Sequence, residues 1–211
     1  MRKGLLLICM CLLAGSALAQ GTAGTIELTP SAGYWFGDTF KNGSIDGVNF
    51  DVRIDDAPAY GLRVAYKLTD TWAVDGFLAR THADLSTGQS GMFGGRNRIG
   101  TMNLTTGEIG MEAAFGHQRF VPFLGASIGA MNMDPDFQGL SSETRFVTAV
   151  GTGFKLFFTP SVALRLDWRG HFVSMSNNNH HHGHCDHDWD CGGNNDWLSF
   201  TEVGLGLSFA F

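Results

Sequence analysis

Long hydrophobic runs are the first thing this sequence lacks. Beyond its opening residues, no stretch is continuous and apolar enough for the roughly 20-residue span of a membrane helix. Basic charge is also short, with 14 Lys and Arg against 20 Asp and Glu. That balance argues against a nucleic-acid partner and against a polybasic membrane patch. Only four cysteines occur, and two of them, Cys9 and Cys11, lie in the opening apolar run. Proline is scarce, at five, and glycine abundant, at 29. If the chain enters a membrane, it must do so with closed strands, because an open sheet leaves backbone groups unpaired in lipid.

The first residues read as an export signal. Met1-Arg2-Lys3 is basic, Leu5 to Leu13 is a short apolar core, and Ala17-Leu18-Ala19 is a small-residue cleavage site. Residues 1–19 are expected to be a signal peptide cut before Gln20, leaving 20–211 as one domain. Cys9 and Cys11 leave with it. A lipoprotein reading fails, because Ile8 and Met10 precede those cysteines where a small residue is needed.

The rest alternates. In Trp197 to Phe211, Val203, Leu205, Leu207, Phe209 and Phe211 share one face and Glu202, Gly204, Gly206, Ser208 and Ala210 the other. A period of two is the side-chain period of a strand. Seven more segments read the same way: Thr25 to Phe36, Ala59 to Leu68, Thr71 to Leu85, Ile99 to Gly116, Arg119 to Met133, Thr144 to Phe158 and Ser161 to Met175. Gly37 to Pro58, Ser86 to Arg98, Asp134 to Glu143 and Ser176 to Asp196 are expected to be long loops. Thr69-Asp70, His117-Gln118 and Thr159-Pro160 are expected to be tight turns. Long and short connections thus alternate around eight strands. That is the plan of an all-β, eight-stranded, antiparallel up-and-down transmembrane barrel, with short periplasmic turns and longer extracellular loops. A lipocalin-like soluble barrel would carry its large apolar side chains inside. Here the large side chains share one face, and glycines and paired charges occupy the other.

The inner face is assigned Arg63, Lys67, Lys155, Arg165 and Arg169 against Glu27, Asp75, Glu108, Glu112, Asp167 and Glu202. Eight strands enclose a space only just filled by side chains. Charges there must pair, since an unpaired buried charge costs several kcal/mol or so. The expected result is a salt-bridge network that plugs the lumen; the alternative is a polar path for protons or small ions. His82, His117 and His171 are read as isolated and structural.

The last loop holds different chemistry. His180, His181, His182, His184 and His187 interleave with Asp186, Asp188 and Asp190. Imidazoles suit zinc, copper or nickel, and carboxylates can complete a site. An EF-hand calcium loop is excluded: counting from Asp186, the sixth residue is Cys191 rather than Gly and the twelfth is Trp197 rather than Glu. Cys185 and Cys191 enclose five residues. In an oxidising compartment a disulfide is the default, stabilising the loop by about 2 kcal/mol on a chain-entropy model. The alternative reading is a hydrophilic, disulfide-pinned surface loop with no resident cofactor.

Several segments together resemble a family of small bacterial outer-membrane β-barrel proteins. They are Ile26-Glu27-Leu28-Thr29-Pro30-Ser31-Ala32-Gly33-Tyr34, the hairpin from Ala59-Tyr60-Gly61-Leu62-Arg63 through Leu68-Thr69-Asp70, Val121-Pro122-Phe123-Leu124-Gly125, Thr144-Arg145-Phe146, and Gly204 to Phe211. The family is broadly similar to OmpA-type barrels. The resemblance implies outer-membrane location, contact with its lipids, no catalytic residues, and Phe211 as a signal to the barrel-assembly machinery. It leaves the surface partner unnamed; the expected state is a monomer. Lipid A deacylases are also eight-stranded outer-membrane barrels, with His and Ser two apart on a strand. Here His171 and Ser174 are three apart, which puts them on opposite faces.

Overall fold

A computed structural model describes residues 22–37, 39–45, 48–89, 96–116, 119–136, 142–174 and 197–211. The expected signal peptide, the His117-Gln118 turn and the whole of the Ser176 to Asp196 loop lie outside the described residues. Ten strands run in order: β1 Ile26–Phe36, β2 Thr39–Ile45, β3 Val48–Ile54, β4 Ala57–Lys67, β5 Trp72–Gln89, β6 Arg96–Ala114, β7 Phe120–Pro135, β8 Glu143–Thr159, β9 Val162–Ser174 and β10 Trp197–Ala210.

Eight of them close into an antiparallel barrel, each paired to its sequence neighbour except across the β2–β3 insertion and the closing seam. β1 pairs with β4 on one side and with β10 on the other, from Glu27↔Ala210 to Phe36↔Thr201. Ile26 and Phe211 complete the seam by exchanging backbone hydrogen bonds at 2.9 and 3.2 Å. Short connections after β4 and β8 mark one end of the barrel, the end that also holds Ile26 and Phe211.

Alternation fixes the two faces. Along β4, Arg63, Ala65 and Lys67 are buried while Tyr60, Leu62, Val64 and Tyr66 are exposed. Along β6 and β7, Ile109 is 74% exposed and Ile128 59%, whereas Glu108 between two exposed neighbours is 4% exposed. Large apolar side chains therefore ring the outside, and charged or small ones line the inside. That is inverted relative to a soluble barrel and matches a wall that meets lipid.

One stretch departs from the sequence reading. Gly37 to Pro58, expected to be a loop, contains β2 and β3, and Ala57 and Pro58 already belong to β4. β3 pairs with the far end of β5, from Phe50↔Gln89 to Ile54↔Leu85, continuing where β4 leaves off. β5 and β6 likewise extend through the expected Ser86 to Arg98 loop, up to Gly88↔Arg96. Hydrogen-bonded ladders need no apolar face. β3 nonetheless alternates strictly, with Val48, Phe50, Val52 and Ile54 against Asn49, Asp51 and Arg53, a strand signal outweighed in the sequence reading by the Gly- and Asp-rich composition around it. A register shift lies between Leu85 and Ser86, and both residues are buried, as a β-bulge permits.

Glycine makes close strand approach possible on the inner wall. A Cβ on Gly153 would stand 1.9 Å from the Leu166 carbonyl oxygen and 2.6 Å from the Phe123 ring. One on outward Gly76 would meet nothing within 4 Å. Gly153→Val is therefore expected to lose about 3 kcal/mol or more of stability by overpacking, while Gly76→Val folds as the parent does. The yield of compact, heat-resistant species on gel electrophoresis after refolding checks both.

Candidate functional site

The lumen gathers the chain's strongest chemistry. Lys155 on β8 reaches Glu27 of β1 at 2.5 Å and Glu112 of β6 at 2.8 Å. Arg165 on β9 binds the other oxygen of Glu112 at 2.6 Å and grips Asp167 through Nε and Nη2 at 2.7 and 2.9 Å. Arg63 on β4 pairs with Asp75 of β5 and stands 4.0 Å from Asp167. Arg169 approaches Glu108 at 3.5 Å and Asp167 at 3.9 Å. Glu202 is joined through His171. Lys67 is buried on the same wall and feels the charges of Glu27, Glu112 and Asp70, but no carboxylate of the described residues lies within 4 Å of its ammonium.

His171 corrects the sequence reading. It was expected to be isolated, yet it is fully buried between two carboxylates. Nδ1 is 2.9 Å from Glu108 and Nε2 is 3.0 Å from Glu202. An imidazole that donates from both nitrogens carries a positive charge. Counted with Arg63, Lys67, Lys155, Arg165 and Arg169, it makes six cations; Glu27, Asp75, Glu108, Glu112, Asp167 and Glu202 make six anions. The signal was available, since His171 shares its strand face with Arg165, Asp167 and Arg169. Its partners lie far away in sequence, and that hid the role.

Aromatic rings fill the gaps between charges. The guanidinium groups of Arg63 and Arg169 lie 4.7 and 4.4 Å from the centre of the Phe77 ring. That of Arg165 sits 4.0 Å from the Phe123 ring. Trp35 stacks on His171 at 4.9 Å with 26° between planes. Such contacts add attraction for cations already stripped of water. None was assigned from sequence, because an inward aromatic breaks the rule that large residues face out.

The charged layer is bracketed by apolar ones. Toward the long-loop end, Trp35, Leu104, Met131, Val147, Val173 and Phe200 belong to one buried cluster. Toward the short-turn end, Ala114, Val121, Phe123, Phe157 and Ala163 form a second. Two cavities touch the charges, bordered by Arg63, Asp167 and Arg169 among others, and each has room for about one water molecule.

The cluster is poorly suited to nucleophilic catalysis. Ser127 donates its hydroxyl to Glu108 at 2.6 Å, a carboxylate already held by His171 and Arg169, and both nitrogens of His171 are occupied by carboxylates. Ser174 lies on the opposite face of β9 from His171, as the burial pattern of that strand requires. A hydroxyl needs a free base within hydrogen-bond reach to become a nucleophile. The His180–His187 ligand set, with Asp186, Asp188, Asp190, Cys185 and Cys191, lies outside the described residues.

A family model described as "Outer membrane protein beta-barrel domain" matches residues 5–211. The outer membrane protein OprG from Pseudomonas aeruginosa superposes with a TM-score of 0.62 at 14% identity, over 92% of this chain and 99% of that one. Neisserial surface protein A gives 0.58 at 15% identity, over 89% and 99%. The outer membrane protein AlkL, solved in DMPC lipid bilayers, gives 0.57 at 15% identity, over 94% of each chain. At such identities the likeness is one of fold. No curated protein matches the chain.

Removing one partner from a buried ion pair costs about 3–5 kcal/mol, because the other charge is left uncompensated. Lys155→Met is expected to lose that much stability. Adding Glu27→Gln to it should recover part of the loss, so the two substitutions will not be additive. Urea unfolding in lipid vesicles, followed by tryptophan fluorescence, checks the cycle.

Proposed function

The chain belongs to the outer membrane protein β-barrel domain family, and from that premise we propose a non-enzymatic barrel whose lumen is plugged by its own side chains. Its location is the outer membrane, where its apolar belt contacts lipid. The proposed role is in envelope structure or surface interaction, as a monomer inserted by the barrel-assembly machinery with Phe211 as its signal. One observation carries the plug. Six cations and six anions share a space about one eight-stranded barrel wide, between two apolar clusters, with two water-sized gaps against them. An ion crossing this lumen would have to displace paired charges and then enter an apolar layer. The expected outcome in planar bilayers is no stepwise single-channel conductance from the parent protein. Regular conductance steps would replace the plug with a pore.

A second reading rests on the segment between β9 and β10. Ser174 and Trp197, which flank it, are paired at the barrel end opposite Ile26 and Phe211. In barrels of this kind both chain ends are periplasmic and that rim is extracellular. The five histidines and three aspartates are thus proposed to meet external zinc, copper or nickel at the cell surface, with Cys185 and Cys191 joined in a disulfide. Titration of folded, detergent-solubilised protein with each metal is expected to give a saturable, stoichiometric site. A variant with those histidines changed to Asn should lose it; equal binding by both would leave the loop without a metal role.

A further inference from the structure

The outer surface carries one feature that an apolar belt does not explain. Outward along β5, Trp72, Val74, Gly76 and Leu78 give way abruptly to Arg80, His82 and Asp84. On the neighbouring β6, Met111, Ile109 and Gly107 give way to Thr105 and Asn103 at the same register. Arg80 stands eight residues beyond Trp72, about 20 Å up a tilted strand. The belt of such a barrel is about 25 Å tall. Arg80 is therefore placed at its upper margin, beside the exposed ring of Tyr60.

A guanidinium at that height points away from the lumen and cannot rest against acyl chains. It must turn its head toward the polar layer. Arg80 has no ion pair among the described residues. Asp84, the acid on the same face, is already engaged by Arg98 at 2.8 Å, so its charge is compensated. His82 is oriented by Asn103, with Nδ1 2.8 Å from the amide oxygen, which leaves Nε2 outside that bond. Tyr34 and Phe36 of β1 and Phe172 of β9 carry the outward belt on with aromatic residues at comparable strand positions, without a basic group. On β1 and β9, then, the upper part of the belt carries no outward basic residue.

We propose that Arg80, with His82 beside it, forms a seat on the β5–β6 face for the phosphate-bearing headgroup of an outer-leaflet lipid. The lipid's acyl chains would run down over Leu78, Leu62 and Ile109, which are exposed. The planar fork of an arginine matches phosphate oxygens bidentately, and phosphates are the anions concentrated at that depth of a bilayer. Binding there joins the headgroup contact to the lipid contact the belt already makes.

The experiment uses the folded full chain in detergent micelles, with lipid A as the probe. Dephosphorylated lipid A, inorganic phosphate and the variants Arg80→Gln and Arg80→Lys complete the set. Native mass spectrometry reads how much lipid stays bound, and gel mobility shows that each variant is folded. The expected result is retention of one lipid A by the parent and retention roughly tenfold weaker for Arg80→Gln, as for loss of a charge-assisted hydrogen bond. Arg80→Lys should fall between them. Dephosphorylated lipid A should bind the parent as weakly as intact lipid A binds Arg80→Gln. Equal retention by parent and Arg80→Gln would overturn the seat. Displacement of lipid A by millimolar inorganic phosphate would overturn the assignment to a lipid in favour of free phosphate.

Discussion

Closure of the sheet is the constraint on which everything else here depends. In lipid a backbone N–H or C=O without a partner costs several kcal/mol or so. A strand edge is a row of such groups, so the first and last strands must find each other. They do so along β1 from Glu27 to Phe36 except at Thr29 and Pro30, and the final pair, Ile26 with Phe211, extends the ladder to its end. Once eight strands are closed, the circumference is set, and with it the width of the interior. The lumen is then too narrow for bulk water and too wide to be left empty.

That width dictates the inner composition. Where two strands pass closely, only glycine fits: Gly153 faces the Leu166 carbonyl and Gly129 the Gly107 carbonyl. The remaining volume is filled by long cationic side chains that reach across it. Lys155 on β8 meets Glu27 on β1, and Arg169 and His171 on β9 meet Glu108 on β6. Each bridge joins strands that are not neighbours in the sheet. Charges used this way give less stability than their number suggests, because each has paid to leave water. Phe77 and Phe123 offset part of that cost by lying against guanidinium groups.

The wall was legible in the sequence, and the contacts inside it were only partly so. Alternation marks every barrel strand, since each must satisfy lipid on one side and the lumen on the other. It also placed Arg63, Asp75, Glu108, Glu112 and Arg165 inside, where they are buried. Which charge meets which was only partly readable, because bridges such as Lys155 to Glu27 and Arg169 to Glu108 span the barrel and depend on strand stagger. His171 and Trp35 show this best. Each is one residue on one strand, and although β10 brings Glu202 to His171 as a neighbouring strand, only closure brings His171 to Glu108 and to Trp35. The β2–β3 hairpin was missed for a different reason: β3 alternates Val48, Phe50, Val52 and Ile54 with polar residues, but it lies in a Gly- and Asp-rich segment whose composition reads as a loop.

The two faces together fix the register more firmly than either alone. A slip of β9 by one residue against β8 would turn Arg165 and His171 toward lipid and Leu164, Leu166 and Trp168 into the lumen. A slip of two would keep the faces but move Lys155 by a pair of residues relative to Arg165. Their joint hold on Glu112 would then break. Lipid thus rejects odd slips and the ion pairs reject even ones. This gives the buried charges a purpose that net stability does not supply: they select one closed barrel among those that the apolar belt would accept.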